Sequence, residues 1–337
     1  MTRLVPAEWA PHAALWIGFP SHADLWQEDL DPAQDEVAAL IRALAAGGTL
    51  VKVLVMGEDA LAAAQVRLAD VAGVEFVAGR FGDIWLRDTG PIYVRADDGG
   101  LVAVGFTPNG WGGKYDLPYD DEVAAQIATN GAHRLDAQST ILEGGALEHD
   151  GLGTILTTRQ CLLNPNRNPG WTEAEAEAVL ARTLGAKKVI WLDDGLVNDH
   201  TDGHIDNLAR FVAPGVVACP VAWGLDDPNT EIYDATARAL AAATDARGEP
   251  LKVVRIPSPG RMENEDGDVI PASHMNFIIS NGVVAVPTYG TASADLAVEA
   301  VRALFPQHTV IGLPSGAILT GGGSFHCITQ QVPAVSA

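Results

Sequence analysis

The sequence predicts one α/β domain spanning residues 1–337. Two patterns carry this prediction: a helix followed by a strand recurs along the chain, and short β-prone runs lie between the recurrences. Hydrophobic residues make up 47% of the chain, which is enough for a sizeable buried core. No low-complexity linker interrupts the sequence, so no boundary between domains is predicted.

Five helix–strand units are predicted from apolar spacing and turn signals. In the first, Val37, Leu40 and Leu44 recur on one face of a helix, two glycines end it, and an apolar run follows. In the last, Ser293 stands where a helix cap is expected. The predicted helices and strands pair as 33–46 with 50–55, 121–128 with 132–135, 173–184 with 188–192, 231–243 with 251–256, and 293–304 with 308–312.

Short β-prone runs fill the chain between these units. They lie at 91–95, 101–105, 153–157, 216–220, 276–279 and 283–286. Turn sequences at 97–100 and 280–282 separate neighbouring runs in the manner of β-hairpins. Because purely parallel sheets contain no hairpins, the sequence favours a mixed α/β arrangement over an ordinary doubly wound sheet.

The charge of the chain restricts the class of partner. Lys and Arg total 21 against 43 Asp and Glu, for a formal net charge of -22. Nucleic acids and anionic membrane surfaces are bound through positive charge, so neither is a predicted partner. The same balance suits a small cationic substrate.

The chain has the features of a cytoplasmic protein. Its first residues lack the layout of a signal peptide, and no apolar run approaches the ~20 residues of a membrane span. Three cysteines without a CxxC pair are typical of reduced thiols. Cys161 and Cys219 adjoin apolar runs and are predicted to lie in the core.

Three motifs contain the residue types needed for covalent attack on a cationic carbon. GGGSFHC at 321–327 places Cys327 beside a stretch without side chains, where a ligand can approach the backbone. DGHID at 202–206 supplies His204 and Asp206, and WLRDTGP at 85–91 supplies Asp88. A thiol, a histidine and carboxylates are the components of nucleophilic catalysis, so an enzyme is the leading hypothesis.

Structural interpretations of these motifs remain open at this level. His204 and Asp206 are two residues apart and share a face if the segment is extended, but the same pattern fits a hydrogen-bonded turn. A helical segment would instead let His200 and His204 share a metal, although Gly203 weakens that helix. Asp88 is predicted to project from the end of a strand, where it would also suit a simple salt bridge.

The motifs together resemble the agmatine deiminase family, a branch of the guanidine-modifying (pentein) superfamily that also contains bacterial peptidylarginine deiminases. The matching stretches run nearly end to end: 6–12 (PAEWAPH), 85–91, 143–145 (EGG), 162–169 (LLNPNRNP), 201–207 (TDGHIDN), 273–277 (SHMNF) and 321–327. The resemblance implies a five-bladed pseudo-symmetric α/β propeller, the pentein fold. It also implies catalysis without metal or organic cofactor, and assembly into homo-oligomers.

The resemblance assigns roles to the motif residues. Cys327 attacks the guanidinium carbon of agmatine, and His204 protonates the departing nitrogen and then activates water. The covalent intermediate is an S-alkylthiouronium, and the products are N-carbamoylputrescine and ammonia. Asp88 and Asp206 hold the guanidinium, since planar paired N–H donors match carboxylates, and Glu143 lines the same site. Either protonated His204 or the bound guanidinium would favour the thiolate.

The tail of the substrate is less closely defined by sequence. Trp85 and Trp111 lie near the motifs, where an aliphatic linker or a cation can rest on an indole. Ser324-Phe325 and His274 depart from the residues typical of the family, and are expected to reshape the pocket wall. Deimination of arginine or peptidyl-arginine, amidino transfer, and a non-catalytic propeller that serves as a binding module are the alternatives.

Overall fold

The computed structural model describes residues 3–335; the two residues at each end of the predicted domain lie outside this range. The strands within it are β1 (His12–Gly18), β2 (Val51–Val55), β3 (Val74–Ala78), β4 (Ile92–Arg95), β5 (Leu101–Thr107), β6 (Arg134–Ile141), β7 (Glu148–His149), β8 (Thr154–Thr158), β9 (Lys188–Leu192), β10 (Arg210–Ala213), β11 (Val216–Val221), β12 (Lys252–Pro257), β13 (Ile278–Ile279), β14 (Val283–Thr288), β15 (Thr309–Pro314) and β16 (Thr329–Pro333).

Helices of eight or more residues accompany every sheet but differ in length. They span Leu30–Ala46, Glu58–Leu68, Asp120–Asn130, Glu173–Leu184, Thr230–Ala242 and Ala294–Arg302. Shorter α-helical turns lie at Ala23–Trp26, Leu86–Thr89, Arg159–Leu162 and Gly316–Thr320, and 3-10 turns at Gln27–Asp29, Gly144–Ala146 and Ile205–Asn207. The segment Gly110–Gly113 closes one further turn, with left-handed residues inside it.

Five small sheets repeat one topology. In the sheet β4-β5-β6, β4 runs antiparallel to β5 and β5 runs parallel to β6, with the helix Asp120–Asn130 crossing between the parallel strands. The same order recurs in β7-β8-β9, β10-β11-β12 and β13-β14-β15, and in β16-β1-β2, which adds β3 at its outer edge. This is the expected five-bladed α/β propeller, and the five predicted helix–strand units are its crossover helices and the strands that follow them.

The last strand closes the ring. β16 pairs antiparallel with β1, with Ala14 opposite Val332 and Ile17 opposite Thr329, so the two ends of the chain complete one blade. Sequence patterning missed β1, because six of its seven residues are buried and no polar alternation marks it as a strand. The predicted hairpins at 97–100 and 280–282 are confirmed by the antiparallel pairs β4–β5 and β13–β14.

Apolar helix faces pack on the blades to form the core. Val37, Leu40 and Leu44 are fully buried in the largest cluster, as their spacing predicts. Cys161 and Cys219 are also fully buried, which confirms their assignment to the core. Ser293 stands at the predicted cap position, but its hydroxyl contacts Thr291 and does not cap the helix.

Around the motifs, the prediction for Asp88 is wrong, and of the two alternatives for the segment of His204 and Asp206 the structure shows the turn. Asp88 lies in a single helical turn, Leu86–Thr89, and not at the end of a strand. The segment of His204 and Asp206 is not extended: Asp202 and Gly203 adopt φ of 65° and 90°, and a 3-10 turn follows at Ile205–Asn207. Left-handed backbone immediately before His204 turns the chain inward, which spacing alone does not reveal.

Among residues 3–335, no helix combines the length and the apolar character needed to cross a membrane.

Candidate active site

An open cavity of about 240 Å³ brings together four of the residues singled out by sequence. Cys327, Asp88, Trp85 and Trp111 line it. The rest of the lining consists of Leu25, Asp83, Tyr115, Leu117, His200, Thr201, Thr320, Gly321, Gly322 and Gly323. Thus a thiol, two aspartates and two indoles, drawn from segments far apart in the chain, face one space. The predicted residues His204 and Asp206 are fully buried beside it and do not line it.

Cys327 lies at the inner end of this cavity among polar groups. Its Sγ is 3.2 Å from Nδ2 of Asn276 and 3.5 Å from Oδ2 of Asp206. Burial, together with the negative charges of Asp206 and Asp88, raises the pKa of the thiol well above its ordinary value. The thiol is therefore protonated until positive charge comes close to it.

The glycines before Cys327 make room for an indole. A Cβ on Gly323 would lie 2.5 Å from the ring of Trp85 and 3.0 Å from Cβ of Cys327. A Cβ on Gly321 would lie 2.8 Å from the rings of both Trp26 and Trp85. These contacts are too short for any side chain, so the two glycines allow Trp85 to lie against the cysteine loop.

Asp88 is held by two N–H donors and, among residues 3–335, has no lysine or arginine as an ion-pair partner. Its Oδ2 accepts a hydrogen bond from Nε1 of Trp111 at 2.8 Å, and its Oδ1 accepts one from the backbone N–H of Gly145 at 2.9 Å. Burial and the negative charges of Asp206 and Glu143 raise its pKa to about 8. At neutral pH Asp88 is therefore mostly protonated.

The donor to Asp88 comes from a strained turn. Trp111 adopts φ of 52° between Gly110 and Gly112, both also left-handed. A bulky residue rarely occupies this region, and the cost is of order 1–3 kcal/mol. This strained conformation directs the indole N–H of Trp111 toward Asp88.

Asp206, in contrast to Asp88, is ionised. Burial alone would raise its pKa, but a 2.8 Å hydrogen bond from Nδ1 of His326 and the surrounding positive charges hold the pKa below its ordinary value. Its Oδ2 takes that bond, whereas the buried Oδ1 has no hydrogen-bond partner. A buried carboxylate oxygen without a donor is an expected place for a substrate N–H group.

His204 is completely buried and neutral. Burial lowers its pKa to about 3 despite the nearby charge of Asp206. Neither ring nitrogen has a hydrogen-bond partner, although Nδ1 lies 3.8 Å from Oδ1 of Asp88. A Cβ on Gly145 would lie 2.5 Å from Nδ1, so this glycine is what allows the imidazole and Asp88 to approach each other.

Glu143 does not line the cavity. Its carboxylate receives two hydrogen bonds from Nε of Arg167, at 2.8 and 3.0 Å, and Arg167 also binds Asp202 at 2.7 Å. Glu143 is close enough to raise the pKa of Asp88, so it acts on the site through charge. Its part in holding substrate stays a prediction.

The structure brings together possible metal ligands other than the pair His200 and His204 considered from the sequence. Ligand atoms of Glu143, Cys161 and His204 lie within 4.8 Å of one another, and all three residues are buried. His200 is not in this group; its Nδ1 is 3.1 Å from the hydroxyl of Tyr115 at the cavity wall. Since Arg167 already neutralises Glu143, the group fits a cation poorly.

The three departures from the family pattern lie behind the cavity wall. Phe325 is fully buried in the core, and Ser324 contacts the hydroxyl of Ser315 at 2.7 Å. His274 binds the carbonyl of Pro287 at 2.8 Å and stacks on Tyr289. None of the three lines the cavity, so an effect on its wall would have to act through the residues in front of them and stays a prediction.

Sequence reasoning missed two residues that belong to the site. Asn276 binds the thiol and accepts the backbone N–H of His326 at 2.9 Å, which fixes the cysteine loop. Asp83 lines the outer part of the cavity, where its carboxylate accepts hydrogen bonds from the indoles of Trp26 and Trp85. Asn276 stands in the SHMNF stretch, which was a signal; nothing around Asp83 distinguished it from a turn residue.

Comparison with known proteins identifies the family. The family model described as Porphyromonas-type peptidyl-arginine deiminase matches residues 4–333. The chain belongs to this family. An agmatine deiminase of Stutzerimonas stutzeri (strain A1501) is 40% identical, over 98% of this chain and 95% of that protein.

Solved structures place other members of the family on the same fold. The agmatine deiminase of Enterococcus faecalis superimposes with a TM-score of 0.93 at 32% identity, covering 99% of this chain and 97% of that one. DDAH from Pseudomonas aeruginosa, at 11% identity and a TM-score of 0.53, covers 95% of this chain and shares the fold alone. The fold of this deiminase-family chain is therefore that of the pentein proteins.

Proposed function

We propose that this protein hydrolyses agmatine to N-carbamoylputrescine and ammonia. The observation that carries the proposal is the lining of the cavity: the thiol of Cys327, the carboxylates of Asp83 and Asp88, and no lysine or arginine among its described residues. Arginine would bring an α-carboxylate, which normally requires a positive partner. Agmatine brings an ammonium group instead, and the relatives named as agmatine deiminases agree with that choice.

The guanidinium is bound between two carboxylates. Asp206 offers its unpartnered Oδ1, and Asp88 lies on the other side of the site, near His204. Binding of the cation favours the carboxylate form of Asp88, whose proton is released to solvent. Carboxylates on both sides hold the ion by its N–H edges and leave its central carbon facing Cys327.

Because His204 is neutral, it can first act as a base toward the thiol and then, once protonated, act as an acid toward the leaving nitrogen. As the thiol of Cys327 attacks the guanidinium carbon, its proton passes to an unpartnered ring nitrogen of His204. The bound cation, and not a protonated histidine, favours the thiolate, because burial keeps the pKa of His204 near 3. The attack forms a C–S bond and a tetrahedral adduct.

The remaining steps return the enzyme to its starting state. The imidazolium of His204 protonates one NH₂ group, the C–N bond breaks, and ammonia leaves an S-alkylthiouronium on Cys327. Water then adds to the same carbon while His204 takes its proton. Collapse of this second adduct breaks the C–S bond and forms the C=O of the ureido product. Its hydroxyl proton passes to Asp88, and the imidazolium of His204 returns its proton to the sulfur.

The outer part of the cavity suits the second cation of agmatine. Trp85 contacts the cysteine loop at one end of its indole, while its Nε1 binds Asp83 at 2.9 Å. The aliphatic linker can lie along this ring, and its ammonium then reaches Asp83. The carboxylate of Asp83 receives only uncharged donors, and burial raises its pKa, so an ammonium supplies its missing charge partner.

The proposal is tested with a panel of guanidines. We expect ammonia and a ureido product in equal amounts from agmatine, and much slower release from arginine and from an arginyl peptide. Butylguanidine, which lacks the ammonium, is the matched control for the tail. Asp83→Asn should lower kcat/KM for agmatine by about tenfold or more and leave butylguanidine unaffected, since one charge-assisted contact is lost. Faster turnover of the arginyl peptide would assign the site to peptidyl-arginine instead.

Compartment and organisation follow from the same proposal. Three unpaired cysteines suit a reducing compartment, so we propose a cytoplasmic enzyme with one catalytic domain. Assembly into homo-oligomers stays a prediction that light scattering can check.

A further inference from the structure

A chain of buried contacts runs from the substrate carboxylate Asp206 to a cluster of three buried charged residues, Glu8, Arg210 and Glu148. Nδ1 of His326 lies 2.8 Å from Oδ2 of Asp206, and Nε2 lies 2.9 Å from Oε2 of Glu8. The same oxygen of Glu8 is 2.7 Å from Arg210, which binds Glu148 at 2.8 Å. His326 is thus the link between the reaction cavity and a set of charges that the proposed mechanism does not use.

The two contacts of His326 define its protonation state. A neutral imidazole has one N–H and one lone pair, and a lone pair facing a carboxylate oxygen at hydrogen-bond distance is repulsive. Both ring nitrogens face carboxylates, so both must donate. His326 is therefore the imidazolium, and its charge helps to hold the pKa of Glu8 and of Asp206 below their ordinary values.

The balance of buried charge agrees with this assignment. The carboxylates of Glu8, Glu148 and Asp206 are matched by Arg87, Arg210 and His326 only if His326 is positive. His149 and His204 have pKa values lowered by burial to about 4 and 3, so they add no cation, and the thiol of Cys327 adds no anion. A neutral His326 would leave one buried negative charge without a partner, which is costly.

His326 also determines how Asp206 is presented. His326 binds Oδ2 of Asp206, which also lies 3.5 Å from Sγ of Cys327. The other oxygen, Oδ1, is thereby left without a hydrogen-bond partner among residues 3–335. Glu8 is itself fixed, because its Oε1 accepts the backbone N–H of Ile279 at 2.8 Å. The imidazolium is therefore held at both ends.

We propose that His326, held by Glu8, is a positioning residue that pairs with Oδ2 of Asp206 and aims the free Oδ1 at the substrate guanidinium. This inference rests on the proposed function of Asp206. It assigns a role to the PAEWAPH stretch, since Glu8 comes from there and completes the site from the opposite end of the chain.

Two matched variants separate the two bonds of His326. The amide N–H of His326→Asn can reach the position of Nδ1 and donate to Asp206, whereas that of His326→Gln reaches the position of Nε2 and donates to Glu8. We expect His326→Gln to lower kcat with agmatine by about a hundredfold, and His326→Asn by only about tenfold, since the first loses the bond to Asp206. Equal losses, or near-normal kcat in His326→Gln, would overturn the proposal.

The wild-type protein provides a test that does not depend on folding of the variants. Nitrogen-15 NMR of histidine-labelled protein should show one ring whose two nitrogens are both protonated and hydrogen-bonded, and either variant should lose the signals of that ring. A wild-type spectrum without such a ring would contradict the imidazolium and sink the inference. Because no turnover is needed, this result is separate from the agmatine assay: an enzyme inactive on agmatine refutes the proposed function and leaves the NMR result to be read by itself.

Discussion

Two buried charged regions of this molecule differ in how their polar groups are paired. In the cluster of Glu8, Arg210 and Glu148, Arg210 donates to both carboxylates and to two backbone carbonyls. Next to the cavity residues Cys327 and Asp88, the buried His204 and Asp206 are less well paired: among residues 3–335, neither ring nitrogen of His204 nor Oδ1 of Asp206 has a hydrogen-bond partner. Paired charges stabilise the fold, whereas unpaired polar atoms cost stability and are kept where a ligand completes them.

Asp206 and Asp88 show the same contrast at close range. Asp206 is joined to the cluster of Glu8, Arg210 and Glu148 through His326 and is ionised. Asp88 accepts hydrogen bonds from an indole and a backbone N–H, and burial raises its pKa to about 8. Asp206 is thus ionised before substrate binds, whereas Asp88 becomes ionised when the substrate cation binds. This difference between the two carboxylates can be tested by substitution and by pH.

The largest effect is expected from Cys327→Ser. A serine hydroxyl is a far weaker nucleophile, so turnover of agmatine should fall by several orders of magnitude while circular dichroism stays native. Iodoacetamide should label Cys327 before Cys161 or Cys219, which are fully buried, and agmatine should slow that labelling. Preferential labelling of Cys219 would remove Cys327 from the role of nucleophile.

Substitution of Asp88 or Asp206 tests whether both carboxylates bind the guanidinium. Asp88→Asn and Asp206→Asn should each lower kcat/KM by at least about a hundredfold, because each removes a charge-assisted contact that also sets the attack geometry. Both proteins should keep a native circular dichroism spectrum. Near-normal kinetics in Asp88→Asn, with only a lower melting temperature, would mean that this residue serves the fold alone.

Removal of the positive charge from the cluster of Glu8, Arg210 and Glu148 should lower the stability of the fold. Arg210→Met leaves Glu8 and Glu148 buried without their partner, and loss of one member of a buried pair costs about 3–5 kcal/mol of unfolding free energy. Urea unfolding measures the change. Arg42→Met, which removes an exposed ion pair with Asp70, is the matched control and should unfold as the wild type does. Equal stability of the two variants would show that the pairs of Arg210 with Glu8 and Glu148 do not stabilise the fold.

The pH dependence of agmatine binding isolates Asp88. Burial raises its pKa to about 8, so below that pH a proton must leave before the cation is held. Binding to the Cys327→Ser protein, which has no thiol to titrate, should therefore tighten by up to about tenfold per pH unit and level off above pH 8. Calorimetry in buffers of different ionisation enthalpy should show about one proton released near neutral pH. If the affinity for agmatine stays constant between about pH 6 and pH 8, Asp88 is already ionised in the free protein.

The smallest effect is expected from chelators. Arg167 already neutralises Glu143 in the buried group with Cys161 and His204, so EDTA should leave turnover of agmatine unchanged. Loss of activity that added zinc restores would show that this group holds a metal after all.

Much of the fold and part of the site could be predicted from sequence because those features are local. Helix periodicity, β-prone runs and turn residues depend on neighbours a few positions away, and they located the crossover helices and the strands after them. The motifs likewise contained Cys327, His204, Asp88 and Asp206, and their resemblance to a known family implied the propeller. Strands without alternation, such as β1, and left-handed turns, such as the one before His204, were missed.

The sequence by itself determined which chemical groups are available: a thiol, a histidine, the aspartates and an acidic chain that suits a cation. Only the tertiary structure decided their charge states, because burial and partners fix these and the partners are remote in sequence. Glu8 and His326 are 318 residues apart, and His326 and Asp206 are 120 apart. In the same way Arg167 occupies Glu143, and two indoles hold Asp83 at the cavity wall. A pKa depends on the distance to other charges and to water, and those distances exist only in the folded chain.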